Sequence, residues 1–161
     1  MSALAGGGVT FGWTLRRMVR ADLPAILAIE QASFPSPWSV ASFETELRAA
    51  WAMPTVAIEP MPGGERLVGY ACAWHVAEEV QLLNVAVHPA RRRRGVGEAL
   101  VAEVLRQAGA RRARSVVLEV RVANVPARRL YARLGFRTTG IRRDYYGPGQ
   151  DGMLMEWRLG G

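Results

Sequence analysis

The chain has 161 residues, half of them apolar and 22% charged, which is the balance of a globular domain with a substantial core and excludes a disordered or fibrous chain. No apolar run is long enough to span a bilayer, and the uncharged, Gly-rich first thirteen residues lack the charged start and apolar centre of a signal peptide. All 21 basic residues are Arg: residues 1–90 hold 5 against 8 acidic residues, net −3, and residues 91–161 hold 16 against 6, net +10, so a basic half suited to polyphosphate follows an acidic half suited to a cationic partner.

Residues 1–13 read as a flexible tail and residues 14–161 as a single α/β domain. Residues 14–18 predict a first strand. Asp22 predicts an N-cap, with Pro24 in the first turn and Ile26, Leu27 and Ile29 leading towards Phe34 as the apolar side of a helix that ends near Ser33. The two prolines of Phe34-Pro35-Ser36-Pro37-Trp38 forbid its continuation; the two aromatics there either grip a ligand or anchor the loop to the core. Ser39 caps a second helix carrying Phe43 and Leu47. Residues 55–58 and 67–76 predict an antiparallel hairpin through Met61-Pro62-Gly63-Gly64, continuing into a strand from Glu79. The lone Cys72 excludes an intrachain disulfide, reads as packing rather than as a nucleophile, and fits a reducing cytoplasm. His75 and His88 have no ligand-spaced neighbours, so no metal site is expected.

Val80, Leu82, Leu83, Val85, Ala86 and Val87 form a nearly continuous apolar run, as expected of a central strand covered on both faces, and Pro89 stops it. Arg91, Arg92, Arg93 and Arg94 then meet Gly95-Val96-Gly97. Leu100, Val104 and Ala108 recur at helical spacing from Val96 onward, so the glycines stand at a helix N-terminus, where free N–H groups attract phosphate. The loop lacks the Gly-Lys-Ser/Thr of a Walker loop and the third glycine of a dinucleotide loop; an ordinary strand-to-helix turn with solvated arginines is its other reading. Residues 115–122 predict a strand with Glu119 at its middle, which demands a polar cleft or a partner. Asn124 caps a short helix through Leu134, stopped by Gly135, and residues 136–145 and 153–159 close the sheet around Gly147-Pro148-Gly149.

Two patterns carry a family resemblance. Arg92, Gly95 and Gly97 fill an Arg-x-x-Gly-x-Gly pattern that resembles the acyl-coenzyme A pyrophosphate loop of the GNAT N-acetyltransferase superfamily. Asn124, Ala127, Leu130, Tyr131, Gly135 and Phe136 resemble its Asn-x-x-Ala-x-x-Leu-Tyr-x-x-x-Gly-Phe signature, and the likeness runs over residues 14–159. Within that superfamily the chain is most similar to the RimI type, bacterial enzymes that acetylate the N-terminal alanine of a ribosomal small-subunit protein. The carriers are Phe34-Pro35-Ser36-Pro37-Trp38-Ser39, Asn84-Val85-Ala86-Val87, Leu118-Glu119-Val120-Arg121, and Arg142-Arg143-Asp144-Tyr145-Tyr146 followed by Asp151-Gly152. The loop Gly147-Pro148-Gly149-Gln150 is not diagnostic and leaves acceptor choice open.

The resemblance implies a central, mixed, mostly antiparallel sheet of about seven strands with about four helices and a strand splay at the acyl-CoA site. It implies acetyl-CoA as co-substrate, contacted by Val85, Ala86, Val87, Arg92, Arg93, Arg94, Gly95, Val96, Gly97, Asn124 and Tyr131. Glu119 matches the proposed base and Tyr131 the proposed acid, with Phe34, Trp38, Glu119, Tyr145 and Tyr146 on the acceptor side. The implied partner is a protein N-terminus, that of a ribosomal small-subunit protein, in the cytoplasm, with no membrane. By the residues alone, Glu119 is also open to a salt bridge with Arg121, Tyr131 to packing, Asn124 to plain capping, and Tyr145 and Tyr146 to covering a sheet edge. A small amine or a lysine side chain is the alternative acceptor. A non-catalytic RNA- or ribosome-binding module is the remote one; no aromatic-basic signature accompanies the arginines, so no direct nucleic-acid role is expected.

Overall fold

The computed structural model describes residues 9–10 and 12–160. One eight-stranded sheet runs in the order β1-β2-β3-β4-β5-β6-β8-β7. Its strands are β1 (Val9–Thr10), β2 (Trp13–Arg17), β3 (Thr55–Met61), β4 (Gly64–Val76), β5 (Glu79–Val87), β6 (Ser115–Arg121), β7 (Arg137–Arg142) and β8 (Gly152–Arg158). The helices are α1 (Leu23–Ser33), α2 (Val40–Arg48), α3 (Val96–Ala110) and α4 (Val125–Arg133). All neighbouring strands are antiparallel except β5 and β6, which run parallel because α3 carries the chain across the sheet between them. The mixed sheet and four helices agree with the expected fold. Val9 and Thr10, expected in a loose tail, pair instead with Thr14 and Trp13, and Trp13 is buried at the head of β2. Residues 1–8 and 11 of that tail lie outside the described residues.

Two cores lie on opposite faces of the sheet. On one, Val96, Leu100, Val101 and Val104 of α3 pack on Val68, Ala71, Val80 and Val116, and Leu130 of α4 and Leu134 at its C-cap close its margin. On the other, Ile26 and Ile29 of α1 and Phe43 of α2 pack on Val56, Tyr70, Cys72 and Ala86. Gly69 is what lets α3 come so near. A Cβ there would stand 2.9 Å from the Ala86 carbonyl oxygen and 3.1 Å from both Val96 and Leu100.

Leu83 interrupts the alternation of β5. Cys72 pairs with Asn84 and Ala73 with Leu82, which leaves Leu83 as the extra residue of a β-bulge. An extra residue inverts the side-chain alternation beyond it. Val80 and Leu82 therefore face the α3 core, whereas Asn84 and Ala86 face α1. The near-continuous apolar run of this strand arises from burial on two faces and from the change of face at its middle.

Asp22 occupies the N-cap position of α1, as expected, but its carboxylate makes no bond to that helix's own N–H groups. It accepts two hydrogen bonds from the Arg16 guanidinium, at 2.8 and 2.9 Å, and one from the Val19 N–H at 2.8 Å. Burial by itself would raise its pKa; the Arg16 bonds, the Val19 N–H and the Arg16 charge outweigh it and hold the carboxyl below its usual range. With the folded pKa below the unfolded value of ~3.9, this contribution is complete above that value and is lost as the pH falls through the folded one. Asp22→Asn is expected to lower the unfolding free energy by about 1–3 kcal/mol at neutral pH. The loss should shrink below about pH 4 in urea titrations taken stepwise towards acid.

Candidate active site

β5 and β6 pair from Glu79 with Ser115 to Leu82 with Leu118, and no further, although β5 runs on to Val87 and β6 to Arg121. Beyond the Leu83 bulge the two strands have separated, and the backbone of β5 has lost its strand partner on that side. A cleft of about 470 Å³ opens in the gap, with Phe34 and Trp38 of the α1–α2 loop, Val85 of β5, and Asn124 and Tyr131 of α4 among its walls. A second cleft of about 400 Å³ shares Leu82, Leu118, Glu119 and Tyr146 with it and adds Gln81, Arg142, Tyr145 and Leu154. The two clefts meet at Glu119.

Strand alternation explains why Glu119 is there. Leu118 and Val120 turn into the core, so Glu119 turns out of it, 36% exposed, with Arg142 Nη1 3.5 Å from its carboxylate. Its ionic partner is thus Arg142 rather than the sequence neighbour Arg121. Arg121 lies over the Tyr146 ring, 4.3 Å from its centroid, and hydrogen-bonds Gln150. Tyr131 is carried on α4 with its ring against Phe136, the centroids 5.6 Å apart. Burial, and then the neighbouring Tyr146, pushes its pKa up to about 12, so it is a phenol with a proton to give throughout the neutral range. Tyr146 is also raised, by burial and then by Glu119 and Tyr145, against the opposing Arg121 charge. Tyr145 packs edge-on against Tyr146 at 4.9 Å and lines the second cleft, so both tyrosines belong to the site walls.

The two readings of the α1–α2 loop prove compatible. Phe34 and Trp38 are half-buried against the α1 core and also wall the cleft, and Trp38 stacks at 5.2 Å on Phe43, whose ring meets Tyr70 edge-on at 5.7 Å. Asn124 is an N-cap, its Oδ1 accepting the Ala127 N–H at 3.2 Å, and a wall residue at once. Glu30, which the sequence reading did not single out, also walls this cleft while only 1% exposed. Its signal was available: at four residues from Ile26 it falls on the apolar stripe of α1, where a carboxylate requires an explanation.

At the Arg-Gly loop, Gly95 holds the left-handed conformation, φ 89°, that turns the chain into α3, and the Ala99 N–H closes the first helical bond onto the Gly95 carbonyl. The first N–H groups of α3 are therefore left for an external acceptor. The four arginines do not act together. Arg91 is clasped by Glu59 at 2.8 to 3.1 Å, and Arg92 reaches back to the Val87 carbonyl and to Ser33 Oγ, both at 3.0 Å. Arg93 and Arg94 stand exposed. Ala86 and Val96 have their side chains in the cores, so each can meet a ligand only through its backbone. Among the described residues, no group of three or more His, Cys, Asp or Glu is placed to hold a metal, and no helix is long and apolar enough to cross a membrane.

The profile of the Acetyltransferase (GNAT) family matches residues 23–136, which hold β2's successor helix α1, the splayed strands, the Arg-Gly loop and α4. The chain belongs to the GNAT acetyltransferase family. Among curated GNAT relatives it is similar to a putative [ribosomal protein bS18]-alanine N-acetyltransferase of Bacillus subtilis, 34% identical over 143 residues that cover 89% of this chain and 93% of the relative. It is likewise similar to the [ribosomal protein bS18]-alanine N-acetyltransferase of Escherichia coli, 33% identical over 139 residues covering 86% and 90% of the two chains. A crystal structure of the Escherichia coli enzyme superposes with a TM-score of 0.80 at 30% identity, covering 91% of this chain and 94% of that one.

Gly97 lies in the first turn of α3, beside its open N–H groups. A Cβ on Gly97 would meet Leu130 at 3.4 Å and Val87 at 3.7 Å, ordinary contact distances, so the protein's own packing leaves room for a methyl group. A side chain there would stand where an anion approaching the open N–H groups of α3 has to come. Gly97→Ala is therefore expected to leave thermal stability unchanged or slightly raised, since glycine costs roughly 0.8–1 kcal/mol in a helix. Calorimetric titration should show coenzyme A affinity reduced at least about tenfold, a loss of ~1.4 kcal/mol.

Proposed function

We propose that this protein is an N-terminal acetyltransferase that transfers acetyl from acetyl-CoA to the α-amine of a protein beginning with alanine, a ribosomal small-subunit protein in the cytoplasm. The observation that supports it most directly is the junction of two clefts at Glu119: one with α4 on its cofactor side and Phe34 and Trp38 on its acceptor side, and one walled by Tyr145 and Arg142 that continues the acceptor side. The bS18-alanine acetyltransferases to which the chain is similar over nearly its whole length supply the acceptor.

Acetyl-CoA, when bound, supplies the acetyl group as an activated thioester. The edge of Leu83 to Val87 turned away from β4, which has no strand partner, aligns the pantetheine arm as an added strand would be aligned, and an N–H near Val87 polarises the acetyl oxygen. The α3 N-terminus, with Arg93 and Arg94 exposed beside it, takes the phosphates. Glu119, directly or through one water, removes the proton from the acceptor ammonium so that the amine can form the new C–N bond. A free α-amine has a pKa near ~8 whereas lysine is near ~10.4, so a carboxylate is a sufficient base for an N-terminus. As the C–S bond breaks, Tyr131 gives its phenolic proton to the sulfur, whose thiol pKa is near ~8.5. The attacking nitrogen sheds its second proton as the tetrahedral intermediate collapses to the amide; of the two protons it loses, one makes good the proton Tyr131 gave and one passes to solvent, and no covalent enzyme intermediate is needed.

Thiol release from acetyl-CoA with short peptides, with mass spectrometry locating the acetyl group, tests the whole reading. Acetyl on the free α-amine of an Ala-starting peptide, abolished by blocking that amine, is the expected result; acetylation confined to lysine side chains or small amines would overturn it. Glu119→Gln should depress kcat/KM most at low pH, where the acceptor is an ammonium, and progressively less above about pH 8, where the amine is already neutral. Tyr131→Phe should lower kcat by roughly 10²–10⁴-fold with the KM for acetyl-CoA little changed.

A further inference from the structure

Glu30 is a buried carboxylate with no cation within ion-pair distance among the described residues, in a wall of the proposed active site. Its negative charge is met by three neutral donors, and these come from three separate segments. The Tyr70 hydroxyl of β4 and Asn84 Nδ2 of β5, the latter at 2.8 Å, both donate to Oε1, and the Trp38 backbone N–H of the α1–α2 loop donates to Oε2 at 2.9 Å. A core alone would be better served by a leucine at this position, because a carboxylate must be desolvated before its hydrogen bonds return anything. What a carboxylate can do and a leucine cannot is hold donors at two oxygens in a fixed relation.

The donors identify what is being held. Asn84 is the first residue beyond the Leu83 bulge, and only because of that bulge does its side chain face α1 at all. Trp38 carries the aromatic wall of the acceptor side. Glu30 thus spans from the start of the splayed half of β5 to the acceptor loop, the two surfaces between which an amine must reach a thioester. Neither oxygen reaches the Arg-Gly loop or α4.

We propose that Glu30 is a positioning residue that clamps the acceptor loop to the splayed strand and thereby sets acceptor binding, with a smaller effect on coenzyme A, whose phosphate site at the Arg-Gly loop Glu30 does not touch. This rests on the N-terminal acetyltransferase reading above. Glutamine has one acceptor oxygen, so in Glu30→Gln an N–H₂ faces either the Trp38 N–H, which it repels, or the Asn84 amide and Tyr70 hydroxyl, which must both reverse to accept from it, and the clamp loosens on that side.

Steady-state kinetics of Glu30→Gln, with hydrogen exchange resolved at the Trp38 amide, is the test. The KM for an Ala-starting peptide should rise at least about tenfold, that for acetyl-CoA should stay within roughly twofold, and the Trp38 amide should exchange faster. Asn84→Ala, which removes a donor on the strand side only, should raise the peptide KM to a smaller extent, and it decides the matter if Glu30→Gln does not fold. Val116→Ala, a cavity in the opposite core, serves as a destabilised control whose peptide KM should equal that of the unaltered protein. An unchanged peptide KM in Glu30→Gln or Asn84→Ala, equal losses for both substrates, or the same shift in Val116→Ala would overturn the clamp. If the unaltered protein acetylates no α-amine, it is the functional reading that fails. The clamp is then judged on exchange, and an unchanged Trp38 rate in Glu30→Gln overturns it.

Discussion

The parallel pairing of β5 with β6 ends at Leu82 and Leu118, and the rest of the site depends on that ending. Parallel strands are joined through a crossover, so α3 must start at the end of β5, and its N-terminal N–H groups arrive at the mouth of the gap. The bulge at Leu83 makes the separation possible without breaking the antiparallel ladder to β4, because one extra residue adds local twist and lets β5 diverge while β4 still follows it. A backbone edge that would be a liability on an outer strand is here turned inward, where a substrate can complete it.

The bulge also assigns side chains to tasks. Before it, Val80 and Leu82 fill the α3 core; after it, Val85 and Val87 face that side while Asn84 and Ala86 face α1. A continuous alternation would have put Asn84 into the larger apolar core with no acceptor for its amide. The same device operates on β4, where Val68 is the extra residue between the partners of Ala57 and Ile58, so the strand can serve Val68 to one core and Tyr70 to the other.

Three carboxylates are buried on the α1 and α2 side, and each is accommodated differently. Asp22 has a bidentate arginine and a backbone N–H, and its pKa falls. Glu46 has only the Trp74 indole N–H, which lowers its pKa less than burial raises it. Glu30 has three neutral donors from three segments. The acidic first half of the chain is in this way consumed largely by internal contacts. The basic second half stays mostly at the surface, with Arg93 and Arg94 beside the α3 N-terminus.

Much of this protein is decided locally. The Ser39 and Asn124 caps, the prolines that end α1 and the glycines that open α3 follow from interactions within a few residues, and so most of the elements and the Arg-Gly loop could be read directly. The mid-strand position of Glu119 on β6 called for a polar cleft or a partner, whereas Tyr131 on α4 was marked by the family resemblance and not by spacing. The partners were not legible. Arg142 rather than Arg121 faces Glu119, Arg92 turns back to Val87 and Ser33 instead of outward, and Asp22 serves Arg16 rather than its own helix. Glu30 meets residues 40 and 54 positions away. Such contacts are fixed by strand register and by a one-residue bulge, which alter which side chains meet without changing local periodicity. The sequence by itself determined the elements and the kind of chemistry; only the folded sheet decided which charges stand together, because pairing across long separations is settled by the packing of the whole.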